Sequence, residues 1–173
     1  MKKKILAIVL SAALLASITG CGSDNKGAED GVNSASQNES QTSELMDKDA
    51  YLAEAEGLNS ATEGFMAAVL TMADENTDIE DSIEAIRNSK EPFIVFSKLD
   101  NPPEEYKESH AKLAVASGKF GDFIDRYADF LKDANDGAID IDTEYSEKLN
   151  ELTAELEEIS EELGNALGEV RNV

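Results

Sequence analysis

The chain contains few of the residues that form disulfides, bind metals or act as nucleophiles. Its 173 residues include one cysteine, one histidine, three prolines and no tryptophan. A single cysteine cannot form an intramolecular disulfide, so the folded part must be stabilised by its hydrophobic core. One histidine excludes a di-iron helical bundle, which needs two Glu-x-x-His pairs. No nucleophile-elbow motif is present either, and we therefore expect a protein that is not an enzyme and binds no cofactor.

Basic residues are also scarce. The chain has 15 lysines and arginines against 37 aspartates and glutamates, which gives a formal net charge of −22 at pH 7. Such a chain cannot neutralise nucleic-acid phosphates and is repelled by anionic lipid headgroups. Its charge attracts cations and basic proteins instead. The composition therefore excludes nucleic acid as a partner and favours a basic one.

Long apolar runs are absent except near the amino terminus. Lys2, Lys3 and Lys4 precede an apolar run from Ile5 to Ile18 that only two serines interrupt. The run is too short for a transmembrane helix and fits the hydrophobic region of a signal peptide. It is followed by Thr19, Gly20 and Cys21, the only cysteine. An ordinary secretory signal with an incidental free cysteine is the alternative to the interpretation that follows.

The stretch Ile18-Thr19-Gly20-Cys21 resembles the lipobox of bacterial lipoproteins, in which small residues precede a lipidated cysteine. The resemblance implies a signal peptide over residues 1–20 and cleavage between Gly20 and Cys21. It also implies a diacylglycerol group, of the palmitate kind, on Cys21. Two acyl chains suffice for stable membrane anchoring. We therefore expect a lipoprotein held at the extracytoplasmic face of the cell membrane.

Residues 21–44 contain the candidate lipidated cysteine and a polar segment. After Cys21 this segment consists mostly of glycine, serine, asparagine, glutamine and acidic residues, and Val32 is its one large apolar residue. Such a composition cannot bury enough surface to offset the entropy lost on ordering. We therefore predict a flexible tether with a root-mean-square span of about 27 Å.

From Leu45 onward, apolar residues recur at spacings of three and four, which is typical of amphipathic helices. Three long segments have this pattern: Tyr51 to Met72, Tyr106 to Leu131, and Tyr145 to Val170. A shorter segment between the first two has a stripe of isoleucines and then Pro92, and we expect a kink or break near Lys90–Pro92. A kinked helix is favoured there over a short strand at Phe93–Phe96, which would have no partner strand. We therefore predict an all-α domain over residues 45–173, folded as an antiparallel up-down-up-down four-helix bundle.

Local signals mark the ends of these helices. Thr77 to Glu80 has the pattern of a capping box, which predicts a helix start. Asp136-Gly137 predicts the end of the third helix, and Asp142 or Thr143 is expected to cap the fourth. The stretch from Pro102 to Leu113, Pro-Pro-Glu-Glu-Tyr-x-x-x-His-x-x-Leu, is similar to helix openings in small lipoproteins of Gram-positive bacteria. That similarity implies no activity.

The fourth segment carries a column of acidic residues at spacings of four, four, three and four: Glu147, Glu151, Glu155, Glu158 and Glu162. Like charges at these spacings destabilise a helix, so we expect something to offset them. One candidate is internal, since Lys112, Lys119 and Arg126 recur every seven residues along the third segment. The others are a divalent cation or a basic protein. We interpret the column as a candidate interaction surface.

His110 is the remaining candidate for a site, because it lies on the apolar seam of the third segment. It could bind a small ligand or a metal in a cavity near Pro92, which makes a carrier the alternative function. Otherwise it is a core histidine bonded to its neighbours. The first hypothesis for function stays a non-enzymatic binding module anchored to the membrane.

Overall fold

The structure is a computed structural model that describes residues 45–74, 76–140 and 142–173. The described residues form helices and turns and contain no strand, so the predicted all-α class is confirmed. The predicted signal peptide, the tether over residues 21–44, and both Gly20 and Cys21 lie outside the described residues. They stay predictions.

The described residues form five α-helices and one short 3₁₀ helix. The α-helices are α1 (Lys48–Thr71), α2 (Ile79–Asn88), α3 (Glu91–Ser97), α4 (Lys107–Asp136) and α5 (Tyr145–Arg171). The 3₁₀ helix, Glu104–Tyr106, leads directly into α4. No helix in the described ranges is long and apolar enough to cross a membrane.

The interruption expected near Pro92 is a break between two helices rather than the favoured kink in one helix. Ser89 and Lys90 separate α2 from α3, and Pro92 lies in the first turn of α3. A proline is favourable there, because the first helical N–H groups have no partner inside the helix. Three ion pairs hold the break against α4: Arg87 Nη2 lies 2.7 Å from Asp129 Oδ1, Arg87 Nη1 lies 3.4 Å from Asp125 Oδ1, and Lys90 Nζ lies 2.6 Å from Asp125 Oδ2.

The helix ends agree with the sequence in part. The cap of α2 is Asp78 rather than Thr77, since its carboxylate accepts a hydrogen bond from the Glu80 N–H at 2.8 Å. Gly137 ends α4 as predicted, with a φ of 77° in the left-handed region that glycine favours. The expected side-chain cap of α5 was wrong, because the Asp140 carbonyl accepts the Tyr145 N–H instead.

The predicted apolar seams form the core. Every seam residue from Tyr106, at the end of the 3₁₀ helix, to Leu131 of α4 is buried, including Ser117 and His110. Aromatic rings fill the centre, where the Phe93 and Phe120 ring centroids lie 4.5 Å apart and the Phe65 ring meets Phe120 edge-on. Buried aromatic side chains contribute the largest areas to such a core, so this cluster joins α1, α3 and α4.

Individual contacts show how neighbouring helices run. Lys112 of α4 pairs with Glu169 of α5, while Arg126 pairs with Glu155, so residue numbers rise along one helix as they fall along the other. Ser82 of α2 accepts a hydrogen bond from Thr71 of α1 at the turn that joins them. α5 packs mainly on α4 and touches α1 only lightly. The two sides of α5 are therefore unequal.

Candidate interaction surface

The acidic column of α5 is divided between two environments. Glu155 and Glu162 turn toward α4, where Arg126 Nη1 lies 2.9 Å from Glu155 Oε2 and Lys119 Nζ lies 2.6 Å from Glu162 Oε2. Lys112 Nζ pairs with Glu169, which is outside the predicted column, at 2.7 Å. The expected internal pairing is therefore confirmed for two of the five carboxylates.

The three α4–α5 ion pairs repeat every seven residues on both helices. This spacing keeps each pair on the same flank of its helix. The pKa of Lys112 is raised above its ordinary value, first by its hydrogen bond to Glu169 and then by the charge of that carboxylate. These pairs are exposed, and each one stabilises the fold only modestly. Their regular spacing matches the register in which α5 packs on α4.

The other three members of the column point away from the bundle. Glu147, Glu151 and Glu158, here called the outward carboxylates, are exposed and have no ion pair within the described part of the chain. Lys112, Lys119 and Arg126 of α4 pair with other glutamates of α5. Within the described residues, no ion pair therefore neutralises these three carboxylates.

His110 is bonded on both ring nitrogens. Only 7% of the residue is exposed, and its Nε2 lies 2.8 Å from the Leu99 carbonyl. A carbonyl only accepts, so Nε2 carries the proton and donates. In the neutral ring, Nδ1 then accepts from the Tyr51 hydroxyl, 3.4 Å away. A ligand at His110 would have to replace these bonds, and the ring's role in this structure is to join α1, α4 and the α3–α4 connection.

Pro92 does not line a site with His110. Pro92 is exposed at the start of α3, whereas His110 contacts Phe96 and Leu99 at the other end of that helix. Across the described ranges there is no group of three or more histidine, cysteine or acidic side chains placed to hold a metal ion. The structure therefore does not bring together the residues of the predicted carrier site.

Sequence reasoning overlooked the flank of α5 that faces α1. Arg171 Nε lies 3.6 Å from Glu56 Oε1 and links the two helices. Gly164 and Glu157 precede Arg171 by seven and fourteen residues, so a second heptad row follows the same helix as the acidic column. Reading α5 for two rows rather than for one column would have found it.

Comparison of the chain with protein-family models finds no match, and none is found among curated proteins or solved structures. Function is therefore inferred from the chain's own residues.

Proposed function

We propose that this protein is a lipoprotein anchored at the extracytoplasmic face of the cell membrane, and that its helical domain is a non-enzymatic interaction module. Its partner is a basic protein or peptide. The outward carboxylates Glu147, Glu151 and Glu158 supply the binding surface. Cys21 supplies the anchor, and the polar segment up to residue 44 separates the domain from the membrane.

The proposed anchor is supported by four features of the sequence that occur together. A lysine-rich start, an apolar run of signal-peptide length, Gly20 and the sole cysteine follow in the order that lipidation requires. Labelled palmitate fed to cells should be incorporated into the natural chain and not into the Cys21→Ala variant. Equal labelling of the two chains would contradict lipidation of Cys21.

For the domain, we propose the up-down-up-down bundle arrangement. It is supported by opposite residue order in the α4–α5 ion pairs. The same opposite order relates α4 to Arg87 of α2, which pairs with Asp129, and to Lys90 just after α2, which pairs with Asp125. Contacts between α1 and α4 keep the same residue order, since Tyr51 meets His110 and Phe65 meets Phe123. That is the relation between the first and third helices of such a bundle.

One observation carries the proposed partner: α4 neutralises part of α5's acidic column and leaves the outward carboxylates without a cation. Carboxylates spaced along one helix face repel one another. A basic partner relieves that repulsion and gains charge-assisted hydrogen bonds. Electrostatic attraction of this kind also speeds association.

The test is cross-linking on intact cells followed by identification of the captured protein. A triple variant, Glu147→Gln, Glu151→Gln and Glu158→Gln, should lose most of the capture. Its matched control changes three exposed acids on other helices, Glu54→Gln, Glu84→Gln and Glu91→Gln, with the same change in net charge. Equal capture by both variants would contradict the outward carboxylates as the surface. Capture of a partner without basic character would contradict its proposed chemistry.

A further inference from the structure

The chain enters the folded domain at one end of the bundle. The Met46 N–H donates a hydrogen bond to the Asn101 carbonyl at 2.7 Å, and the Met46 side chain packs against the core. In the first turn of α1, the Tyr51 ring lies 4.9 Å from that of Tyr106 and 5.7 Å from that of His110, measured between centroids. The start of α1 is therefore held against the connection between α3 and α4. We call this end of the bundle the tether end, because the proposed tether joins it.

The opposite end of the bundle, here called the far end, contains two turns. Phe65 of α1 meets Tyr127 of α4, so both helices lead away from the tether end. The first residue of α5, Tyr145, stacks on Phe130 of α4 with ring centroids 5.0 Å apart. The turn from α1 to α2 and the turn from α4 to α5 therefore lie at the same end. Because α4 has 30 residues, about 45 Å separates the far end from the tether end.

Acidic residues are divided unequally between the two halves of the domain. Contacts near the middle set the boundary, since Lys119 pairs with Glu162 and a Cβ atom on Gly121 would meet Ile94. The tether half comprises residues 45–62, 94–121 and 160–173, and the far half comprises the other described residues. The tether half has eleven acidic and six basic residues, which give a formal charge of −5. The far half has twenty acidic and five basic residues, which give −15.

An anionic lipid surface repels these two halves to different degrees. Anionic lipids produce a surface potential of about −30 mV, which disfavours each negative charge that enters it about threefold. The potential falls off within a Debye length of about 8 Å. Only the end that faces the membrane experiences it, because the two ends are much further apart than this length. A domain held near such a surface therefore turns its far end away from the lipids.

The outward carboxylates belong to the far half. Glu147 and Glu151 lie in the first two turns of α5, directly after the turn at the far end, and Glu158 lies before the middle of the bundle at Glu162. The orientation that minimises repulsion from the lipids is therefore also the one that keeps these three carboxylates away from the membrane.

We propose that its unequal charge orients the domain with the tether end toward the membrane, and that the basic partner binds the outward carboxylates from the side opposite the membrane. A basic segment lying at the lipid surface is then not the partner. The inference rests on the proposed anchor and the proposed partner, and it adds the direction from which the partner approaches.

Energy transfer from the domain to labelled lipids tests the orientation. The full chain is purified from cells that lipidate it and reconstituted into vesicles of phosphatidylglycerol and phosphatidylcholine with an acceptor dye on the headgroups. A donor dye is attached either to Val173→Cys, near the tether end, or to Thr143→Cys, at the far end. Both positions are exposed and uncharged. The introduced cysteine is the only free thiol, because Cys21 carries the lipid in the proposed chain.

Transfer should be more efficient from position 173 than from position 143. The difference should shrink in vesicles of phosphatidylcholine alone, and it should also shrink in high salt, which screens the charges. Equal transfer from the two positions in anionic vesicles would overturn the proposal. A difference that depends neither on lipid charge nor on salt would overturn charge as the cause of the orientation.

Two charge variants test the cause within the chain itself. The far variant neutralises four exposed acids of the far half that have no ion pair among the described residues, and it should narrow the difference in transfer. Its control neutralises four such acids of the tether half and should widen the difference. The far variant is Glu80→Gln, Asp81→Asn, Asp133→Asn and Asp142→Asn, and the control is Asp49→Asn, Glu54→Gln, Glu105→Gln and Glu108→Gln. Equal effects of the two variants, each shown to be folded by circular dichroism, would contradict the proposed cause.

The transfer measurement separates this inference from the proposed function, because it contains no partner. Equal transfer from both ends removes the orientation and leaves the basic partner in place. No transfer from either position would overturn the lipid anchor and the orientation together. More transfer from position 173, combined with unchanged capture by the Glu147, Glu151 and Glu158 variant, would keep the orientation and remove the outward carboxylates as the surface.

Discussion

The two flanks of α5 differ although they belong to one helix. Toward α4, glutamates at positions 155, 162 and 169 each meet a lysine or arginine. Toward α1, positions 157, 164 and 171 hold a glutamate, a glycine and an arginine, and only the arginine is paired. The difference arises from the neighbours, because α4 has a basic residue every seven positions along the facing flank and α1 has none there.

This contrast shows how a strongly acidic chain distributes its few cations. Lys112, Lys119 and Arg126 of α4 each pair with a glutamate of α5. The outward carboxylates have no ion pair among the described residues. An exposed ion pair stabilises a fold only slightly, so the pairs that do form contribute little to stability.

The largest effect should come from the buried seam that lies between the two flanks. Leu163 is buried in α5, and Leu163→Ala should lower the free energy of unfolding by about 2–5 kcal/mol, measured by urea denaturation. The matched change Leu149→Ala alters a half-buried residue of the same helix and should cost clearly less. Equal losses would mean that α5 is held evenly along its length.

Unfolding at alkaline pH should test how much the buried Tyr51 contributes to holding α1 in the bundle. Burial raises the pKa of Tyr51 to about 12, and the charge of Tyr106 adds to the shift. A tyrosine whose pKa is raised in the folded state stabilises the fold fully below about pH 10 and loses that contribution as the pH rises toward 12. Stability in urea should therefore fall over this range, as the absorbance of tyrosinate increases.

Tyr51→Phe is the control for that pH dependence. Lysine side chains also lose their charge in this range, but they do so equally in both chains. The phenylalanine variant should therefore show a shallower alkaline loss than the natural chain. Parallel curves for the two chains would assign the loss to other groups.

Two glycines distinguish filled from open contacts. A Cβ atom on Gly164, which is exposed on α5, would meet no heavy atom within 4 Å. Gly164→Ala should therefore raise the free energy of unfolding by about 1 kcal/mol through helix propensity alone. A Cβ on Gly121 would lie 2.6 Å from Ile94 Cδ1, where α3 packs closely on α4. Gly121→Ala should therefore give no such gain. Thermal unfolding of both variants makes the comparison, and a full gain at Gly121 would contradict close packing there.

The smallest change in stability should come from the exposed charged residues, and it should differ between the paired and the unpaired ones. A double-mutant cycle on Lys119 and Glu162 should give a coupling free energy of about 0.2–1 kcal/mol. High salt should reduce that coupling. Glu63→Ala in α1 should change the free energy of unfolding by less than about 0.5 kcal/mol, since Glu63 has no ion pair among the described residues. A larger loss at Glu63 would reveal a partner inside the chain.

Much of the fold follows from local patterns. The seams of α1, α4 and α5 were visible as spacings of three and four, and their residues are buried or half-buried as expected. The pairing of Lys112, Lys119 and Arg126 with glutamates of α5 was also visible, because these cations repeat every seven residues on the flank expected to face the acidic column. Pro92 marked the break between α2 and α3, although not its form. Local chemistry decides these features.

The candidate site could be predicted from the sequence less well than the fold. The acidic column looked uniform in sequence, but its members differ by which neighbour they face. His110 looked like a candidate ligand, but Tyr51 and the Leu99 carbonyl occupy its two nitrogens. Both outcomes depend on contacts between segments far apart in the chain, and periodicity carries no information about those contacts.

By itself, the sequence determined that residues from Leu45 onward form amphipathic helices and that the chain has too few cations to neutralise its acids. Helix formation and net charge depend on residue type and spacing, and both can be read along the chain. Only the tertiary structure decided which carboxylates are paired. That outcome depends on the register between helices, as when Arg171 meets Glu56, and register is set by packing of the whole core.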